Sequence, residues 1–338
     1  MLSETVLAYA SNPYVLAGLC LVIAYWASTR LQPVLILLSH KKNLMDEPED
    51  RSSHTFSVPT YGGVPIFITF SIMVLGLATF LDVSHESLEQ TCAVLAGITI
   101  LFFLGVKDDM VGLDPAKKFI GQLLAATVVV FLADVRIESM EGIFGVGELP
   151  YAVSVVFTIF VFMLMVNAYN LIDGIDGLAG MTAIIASLVF GAYFLVVGDL
   201  SMATMSFVLV GALIGFLRFN LSDSKKIFMG DSGSLFIGFL LAFQAVQFLS
   251  SNLGQQPGPV LSNAPVIVLT VLSFPLMDTL RSFVIRAARG RSPFAPDRNH
   301  IHHRLLQMGM SHKQATGLIS LKVILLTAVC CASRIGCT

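Results

Sequence analysis

The stretch "VSVVFTIFVFMLMVNAYNLIDGIDGLAG", residues 153–180, sets an unbroken apolar run against two aspartates, Asp173 and Asp176. The run lacks the period-two alternation of a barrel strand. A bilayer core takes about 20 mostly apolar residues per helix. Only helices and closed barrels satisfy their own backbone hydrogen bonds in lipid. The stretch therefore predicts a membrane-spanning helix that ends on carboxylates. Such groups are expensive near lipid unless they face a polar cavity, pair or bind ions.

The whole chain follows this pattern. Hydrophobic residues make up 55% of the 338 and charged residues 12%, against about a quarter charged in a soluble domain. Apolar runs fall at roughly 13–38, 62–81, 91–106, 119–134, 151–170, 177–197, 202–218, 232–249, 264–285 and 317–333. The expected fold is all-α: a polytopic membrane bundle of about ten transmembrane helices, forming one integral membrane domain over 1–338. The first run has no basic segment before it and no small-residue cleavage site after it, so it is expected to be a retained span. The five cysteines (Cys20, Cys92, Cys330, Cys331, Cys337) have no metal-like spacing and read as small apolar residues.

If ten spans alternate, the connections at about 39–61, 107–118, 171–176, 219–231 and 286–316 share one side. That side and its helix ends hold all the lysines and arginines except Arg136 and Arg334. Basic residues accumulate on the cytoplasmic side, so those loops are expected to be cytosolic and both termini external. The basic residues thus follow from topology and give no support to nucleic-acid binding.

Four polar clusters converge on the basic side: "FLGVKDDMVGLDPAKKFIGQ" (103–122), "NAYNLIDGIDGLAG" (167–180), "KKIFMGDSGSLF" (225–236) and "SPFAPDRNHIHHRLL" (292–306). Asn167, Asn170, Asp173 and Asp176 recur every third residue, which stacks them along one side of a helix. Gly174, Gly177 and Gly180 let something approach the backbone closely. A helix cap and turn is the bland alternative. Asp108 and Asp109 sit just past a span, where capping or pairing with Lys107 or Lys118 competes with metal binding. Asp231 opens a helix between glycines, so it is either an N-cap or a metal ligand. Acids gathered on one face imply a divalent cation, because hard cations take carboxylates together with substrate phosphates. His300, His302 and His303 lie among arginines suited to bidentate phosphate contacts. Zinc and a solvated loop stay open for them, though no cysteine is near. Carboxylates for a metal beside Arg, Lys and His for anions are what phosphoryl transfer needs.

In order and separation, these motifs resemble those of the polyprenyl-phosphate N-acetylhexosamine-1-phosphate transferases, from about residue 44 to 316. "HIHHRLL" is similar to the signature of the WecA-like branch, whereas MraY-like members carry a different histidine motif. The resemblance implies transfer of N-acetylglucosamine-1-phosphate, or a related N-acetylhexosamine phosphate, from a UDP-sugar to undecaprenyl phosphate. UMP is released, and a lipid-linked cell-surface glycan such as O-antigen is begun. It further implies Mg2+, with Mn2+ as a substitute, and a multi-pass enzyme of the bacterial inner membrane with a cytosolic active site. By the same resemblance Asp231 is a metal ligand, with Asp108 and Asp109 the adjacent acidic pair, and Asp108 is the candidate to orient or deprotonate the lipid phosphate. Asp173, Asp176, His302 and His303 are catalytic candidates. Lys118, Asn170, Phe228, Arg298, His300, Arg304, Arg51 and His54 are substrate contacts, with Phe228 placed to stack on uracil. An MraY-like enzyme using UDP-muramyl pentapeptide is the alternative, and a transporter a more distant one, since transporters place acids near mid-membrane and often show a repeat. Small-residue faces such as "GGVPIF" and "GLAGMTA" suit packing within one chain or between two copies.

Overall fold

The computed structural model describes residues 12–42, 44–46, 57–81, 84–255, 260–290 and 300–332. Among them are twelve helices in chain order: α1 (Pro13–Lys42), α2 (Gly63–Phe80), α3 (His85–Val111), α4 (Pro115–Leu132), α5 (Tyr151–Ile172), α6 (Leu178–Val197), α7 (Leu200–Asn220), α8 (Asp231–Ser250), α9 (Ala264–Val271), α10 (Ser273–Ala288), α11 (Ile301–Gln307) and α12 (His312–Ala332). Among the described residues, nine helices are long and apolar enough to cross a membrane, or ten spans if the bent pair α9–α10 counts as one. Two-residue strands, Met45–Asp46 and Val58–Pro59, pair antiparallel.

Local chemistry fixes the helix starts. Ser84 accepts from Ser87 N to cap α3, and Asp199 accepts from Met202 N to cap α7. Asp114 accepts from Ala116 N, and Pro115 follows at the first helical position of α4, where its missing N–H costs nothing. The expected span at 264–285 is instead broken, with α9 and α10 meeting at 70°. Pro275 explains the break: its ring would clash with the carbonyl four residues back, at Val271, and it cannot donate to it. α9 ends at that residue. The expected loop at 107–118 also shrinks, because α3 runs on to Val111 and carries Asp108 and Asp109 on its last turn.

α8 is the axis of the bundle. Of its apolar window 94% is buried, against 17% for α1, so α8 is surrounded by protein and α1 faces lipid. Helices α2, α3, α5 and α6 pack around α8. Phe239 on α8 meets Phe162 on α5 with ring centroids 4.6 Å apart. Lipid is as apolar as leucine, so helices associate by close packing rather than by escape from water. The α1–α7 contact shows this: Gly211 and Gly215 of α7 face Ala24 and Ser28 of α1, and Ser28 Oγ donates to Ala212 O at 2.8 Å. Trp26, Ile72, Phe103, Phe119 and Leu325 remain exposed around the outside, as a lipid-facing surface requires.

Candidate active site

The C-terminal ends of α3 and α5 meet the N-terminal ends of α2, α4 and α8. The segment before α2 pairs with the loop before α8: Phe228 N donates to Pro59 O at 2.8 Å, and Gly62 N to Phe228 O at 2.9 Å. Gly230 then turns the chain into α8 with φ +72°, and a Cβ there would lie 2.7 Å from Asp109 Oδ2, so only glycine fits. Asp231 N donates to Asp109 Oδ1 and Ser232 N to Asp109 Oδ2, both at 2.9 Å. Asp109 therefore caps α8 from a neighbouring helix, satisfying amides that no residue of α8 can reach.

Beside this cap, Lys118 Nζ bridges two carboxylates. It donates at 2.6 Å to Asp108 Oδ2 and at 2.6 Å to Asp231 Oδ2. Asp108 Oδ1 accepts from Leu113 N at 2.6 Å. Asp231 Oδ1 accepts from Asn170 Nδ2 at 2.8 Å, and Asn170 also reaches Ser234 Oγ. The relay Asp108–Lys118–Asp231–Asn170 thus ties α3, α4, α8 and α5 together. Asn167, one turn back, pairs instead with Gln122 at 2.7 Å.

Asp173 and Asp176 part company. α5 ends at Ile172, and Asp173 is its C-cap residue with ψ 43°, so the expected three-residue register holds on a helix only for Asn167 and Asn170. Burial, then the carboxylates of Asp231, Asp109 and Asp176, push the Asp173 carboxyl well above the usual carboxylate range. Asp176 instead meets Lys226 Nζ at 2.7 Å and His312 Nδ1 at 2.9 Å. Burial opposes its ionisation, but these partners outweigh burial and hold its carboxyl below the usual range. Thr316 Oγ1 donates to Asp176 O at 2.7 Å, and Asn220 Oδ1 accepts from Gly177 N at 2.6 Å. Asp176 therefore clamps α12 and the 221–230 loop to the turn after α5.

The histidines divide in the same way. His300 is turned inward, with Nδ1 2.8 Å from Asp278 Oδ2, while Ile301 N donates to Asp278 Oδ1 at 2.8 Å. Asp278, fully buried on α10, fixes the start of α11. That start delivers His302 to Gly174, where a Cβ would lie 2.6 Å from His302 Nε2. The close approach foreseen for Gly174 is made by this ring, and those of Gly177 and Gly180 by Leu221 and Leu217. His302 is 1% exposed and, among the described residues, neither ring nitrogen has a hydrogen-bond partner. Burial, followed by His303, pushes its pKa down to about 3, so it is neutral at physiological pH. The His303 ring centroid lies 4.3 Å from that of His302, and Arg304 is exposed. Phe228 is half-buried, with Lys226 Nζ 5.5 Å from its ring centroid. Arg51, His54 and Arg298 lie outside the described residues.

Sequence reasoning missed Lys226, His312, Thr316 and Asp278. Asp278 left a signal: a lone carboxylate inside an apolar run, with Arg281, Ser282 and Arg286 following at helical spacing. Lys226 and His312 left none, because only the fold brings them to Asp176.

Among the described residues, no three or more His, Cys, Asp or Glu side chains group as a metal cage. Magnesium needs none, since it binds through one or two carboxylates plus water and substrate phosphate. The Lys118 ammonium held between Asp108 and Asp231 shows that this pair accepts a cation.

A family model for glycosyl transferase family 4 matches residues 91–249, which span α3 to α8. The chain is 32% identical over 295 residues to the undecaprenyl-phosphate alpha-N-acetylglucosaminyl 1-phosphate transferase of Salmonella typhi, covering 86% of this chain and 76% of that protein. It is 33% identical over 339 aligned positions to the decaprenyl-phosphate N-acetylglucosaminephosphotransferase of Mycolicibacterium smegmatis, covering 95% and 82%. With the protein of the same name from Mycobacterium tuberculosis it shares 34% identity over 319 residues, covering 89% and 78%. With most of its length matched by such relatives at 30% identity or more, the chain belongs to glycosyl transferase family 4.

Proposed function

We propose that the protein transfers N-acetylglucosamine-1-phosphate from UDP-N-acetylglucosamine to undecaprenyl phosphate at the cytosolic face of a bacterial inner membrane. The observation that carries this reading is the pair Asp108 and Asp231, held by Lys118 and Asn170 at one end of lipid-spanning helices, with the Asp173 carboxyl close enough to feel the charge of Asp231. The names of its relatives point to the same substrates. The accumulation of lysine and arginine on that end supports the cytosolic assignment.

In this reading an oxygen of the lipid phosphate attacks the phosphorus that bears the sugar. A P–O bond forms to make the lipid-linked pyrophosphate, and the P–O bond to the uridine phosphate breaks, its electron pair leaving with UMP. Asp108 and Asp231 would hold Mg2+, which supplies charge stabilisation for the phosphate oxygens. Lys118, between the same carboxylates, positions them and adds a positive charge. Asp173, in place of the Asp108 that the family resemblance suggested, is the carboxyl suited to exchange a proton with the lipid phosphate, because burial and neighbouring carboxylates raise its proton affinity. His303 and Arg304 present donors to the pyrophosphate, while neutral His302 packs the loop against Gly174.

The test is UMP release by purified protein in detergent with undecaprenyl phosphate and Mg2+. UDP-N-acetylglucosamine, UDP-N-acetylgalactosamine and UDP-muramyl pentapeptide are offered in parallel, with Asp231→Asn as control. Release with the first donor, dependent on metal and on Asp231, is expected. Release with the pentapeptide alone would overturn the choice of sugar, and folded protein silent with all three would overturn the reaction.

A further inference from the structure

Asp278 stands about 15 Å before the end of α10 at Ala288 and is fully buried. A carboxylate is expensive at that depth, and this one lies outside the relay of Asp108, Lys118 and Asp231. Its partners say what it does there. Its two oxygens are divided between two donors: Oδ1 accepts from Ile301 N and Oδ2 from His300 Nδ1, each at 2.8 Å. Arg281 Nη2 stands 3.6 Å from Oδ1. A neutral Asn or Ser would suffice to cap Ile301, but only a carboxylate accepts through both oxygens. Capping alone therefore does not explain an acid at this position.

The far side of the His300 ring fixes its proton. Arg286 Nη2 lies 3.4 Å from His300 Nε2, and a guanidinium only donates. Nε2 is therefore the lone-pair nitrogen and Nδ1 carries the hydrogen, which gives a directed chain from Arg286 through His300 to Asp278. Ser282 Oγ, one turn along α10, stands 3.4 Å from the same Nδ1. The held ring hands its orientation on. His302 lies nearly parallel to it, with ring centroids 5.6 Å apart and planes 14° apart, and His303 packs 4.3 Å from His302. His302 in turn abuts Gly174, the residue after Asp173. Asp278 thus reaches the turn that carries Asp173 through a stack of imidazoles.

Granted the transferase reading above, on which this rests, we propose that Asp278 is a positioning residue for the reaction. It fixes the tautomer and plane of His300, and through the stack it sets the place of His303 and Arg304 against the pyrophosphate of the donor. A carboxylate on one ring nitrogen holds a histidine in a single tautomer. Here the ring so held is a step removed from the phosphate, so its effect is on alignment.

The test is a double-mutant cycle of Asp278→Asn, His300→Phe and both together, made in the full chain in detergent and read as UMP release per folded molecule. Asparagine keeps the acceptor for Ile301 N but turns a donor toward His300 Nδ1. Asp278→Asn should lower kcat/KM for UDP-N-acetylglucosamine roughly tenfold to a hundredfold, with KM for undecaprenyl phosphate unchanged. In the His300→Phe background the same substitution should cost no further activity. It should also restore Tm there, by removing a buried carboxylate left without its ring partner. A residue that merely holds the fold would lower Tm yet leave kcat/KM per folded molecule at the wild-type value. That result, an equal loss toward both substrates, or additive losses in the cycle overturns the proposal. Solid-state NMR of wild-type protein with isotope-labelled histidine decides the matter even where a variant fails to fold. His300, identified through its contact with Ile301, should carry its proton on Nδ1, and a proton on Nε2 instead overturns the proposal. Wild-type protein that releases no UMP would sink the transferase reading, while the tautomer, which needs no turnover, still tests the hold of Asp278 on His300.

Discussion

Asp173 and Asp176 stand three residues apart in one glycine-rich turn and live in opposite electrostatic worlds. Asp173 faces other carboxylates and is held above its usual range, whereas Asp176 faces Lys226 and His312 and is held below it. The cause is the end of α5 at Ile172. Beyond that point the backbone turns, and side chains that would stack on a helix are sent to different neighbours. The difference teaches that charge compensation, more than motif membership, separates a carboxyl left among like charges from one that fastens the fold. Where negative charge is left over, a cation and a phosphate have a reason to bind. Where it is neutralised by the chain's own lysine and histidine, the carboxylate is a clamp.

The largest effect should come from the under-compensated side. Asp231→Asn removes a carboxylate from the Lys118 bridge while keeping its shape, and UMP release should fall about a thousandfold. Asp173→Asn should lower the rate about a hundredfold yet leave Tm unchanged or raised, since it deletes repulsion from Asp109 and Asp231. A variant that is inactive because it is unfolded would erase the distinction between the two aspartates; an inactive variant with intact Tm sharpens it.

Asp176→Asn should behave in reverse. Its side chain is 11% exposed and is held by the Lys226 ammonium and the His312 ring, and breaking a buried pair of this kind costs about 3 kcal/mol or more. Tm should drop by several degrees, while activity per folded molecule falls less than about tenfold. An Asp176→Asn protein of wild-type Tm and no activity would assign Asp176 to the chemistry and undo the contrast.

The sequence exposes one half of this comparison better than the other. Asp108, Asp173 and Asp231 are visible because carboxylates at the ends of apolar runs need a reason to be there. Their common neighbourhood is visible because every motif falls on the basic side. The role of Asp109 is not, because the amides that it caps lie 122 residues later. Nor is the Asp278–His300 pair, whose members belong to a span and to a loop. The bent α9–α10 lay closer to the surface: Pro275 inside an apolar run was signal enough for a break at Val271. What stays hidden is whatever depends on which helix ends meet, since periodicity reports a helix's faces and not its neighbours.

The smallest and most diagnostic effect is the pH dependence of stability. Because the Asp176 carboxyl is held below its ordinary range when folded, the folded chain binds fewer protons than the unfolded chain in the interval between the two values. Stability contributed there is fully present above the unfolded carboxylate value of about 4 and is lost as pH falls through the folded one. Asp176→Asn cannot lose what it lacks, so the stability gap between it and wild type, widest near neutrality, should close below about pH 4. Asp173 carries the opposite sign: its raised carboxyl makes the folded chain the tighter proton binder, so stability erodes as pH rises above about 4 and Asp173→Asn removes that erosion. Unfolding in chelator across this range should therefore give two difference curves of opposite slope from two aspartates in one turn. Parallel curves would mean that Lys226 and His312 do not neutralise Asp176 in solution, and that the clamp and the poised carboxylate are a single electrostatic unit.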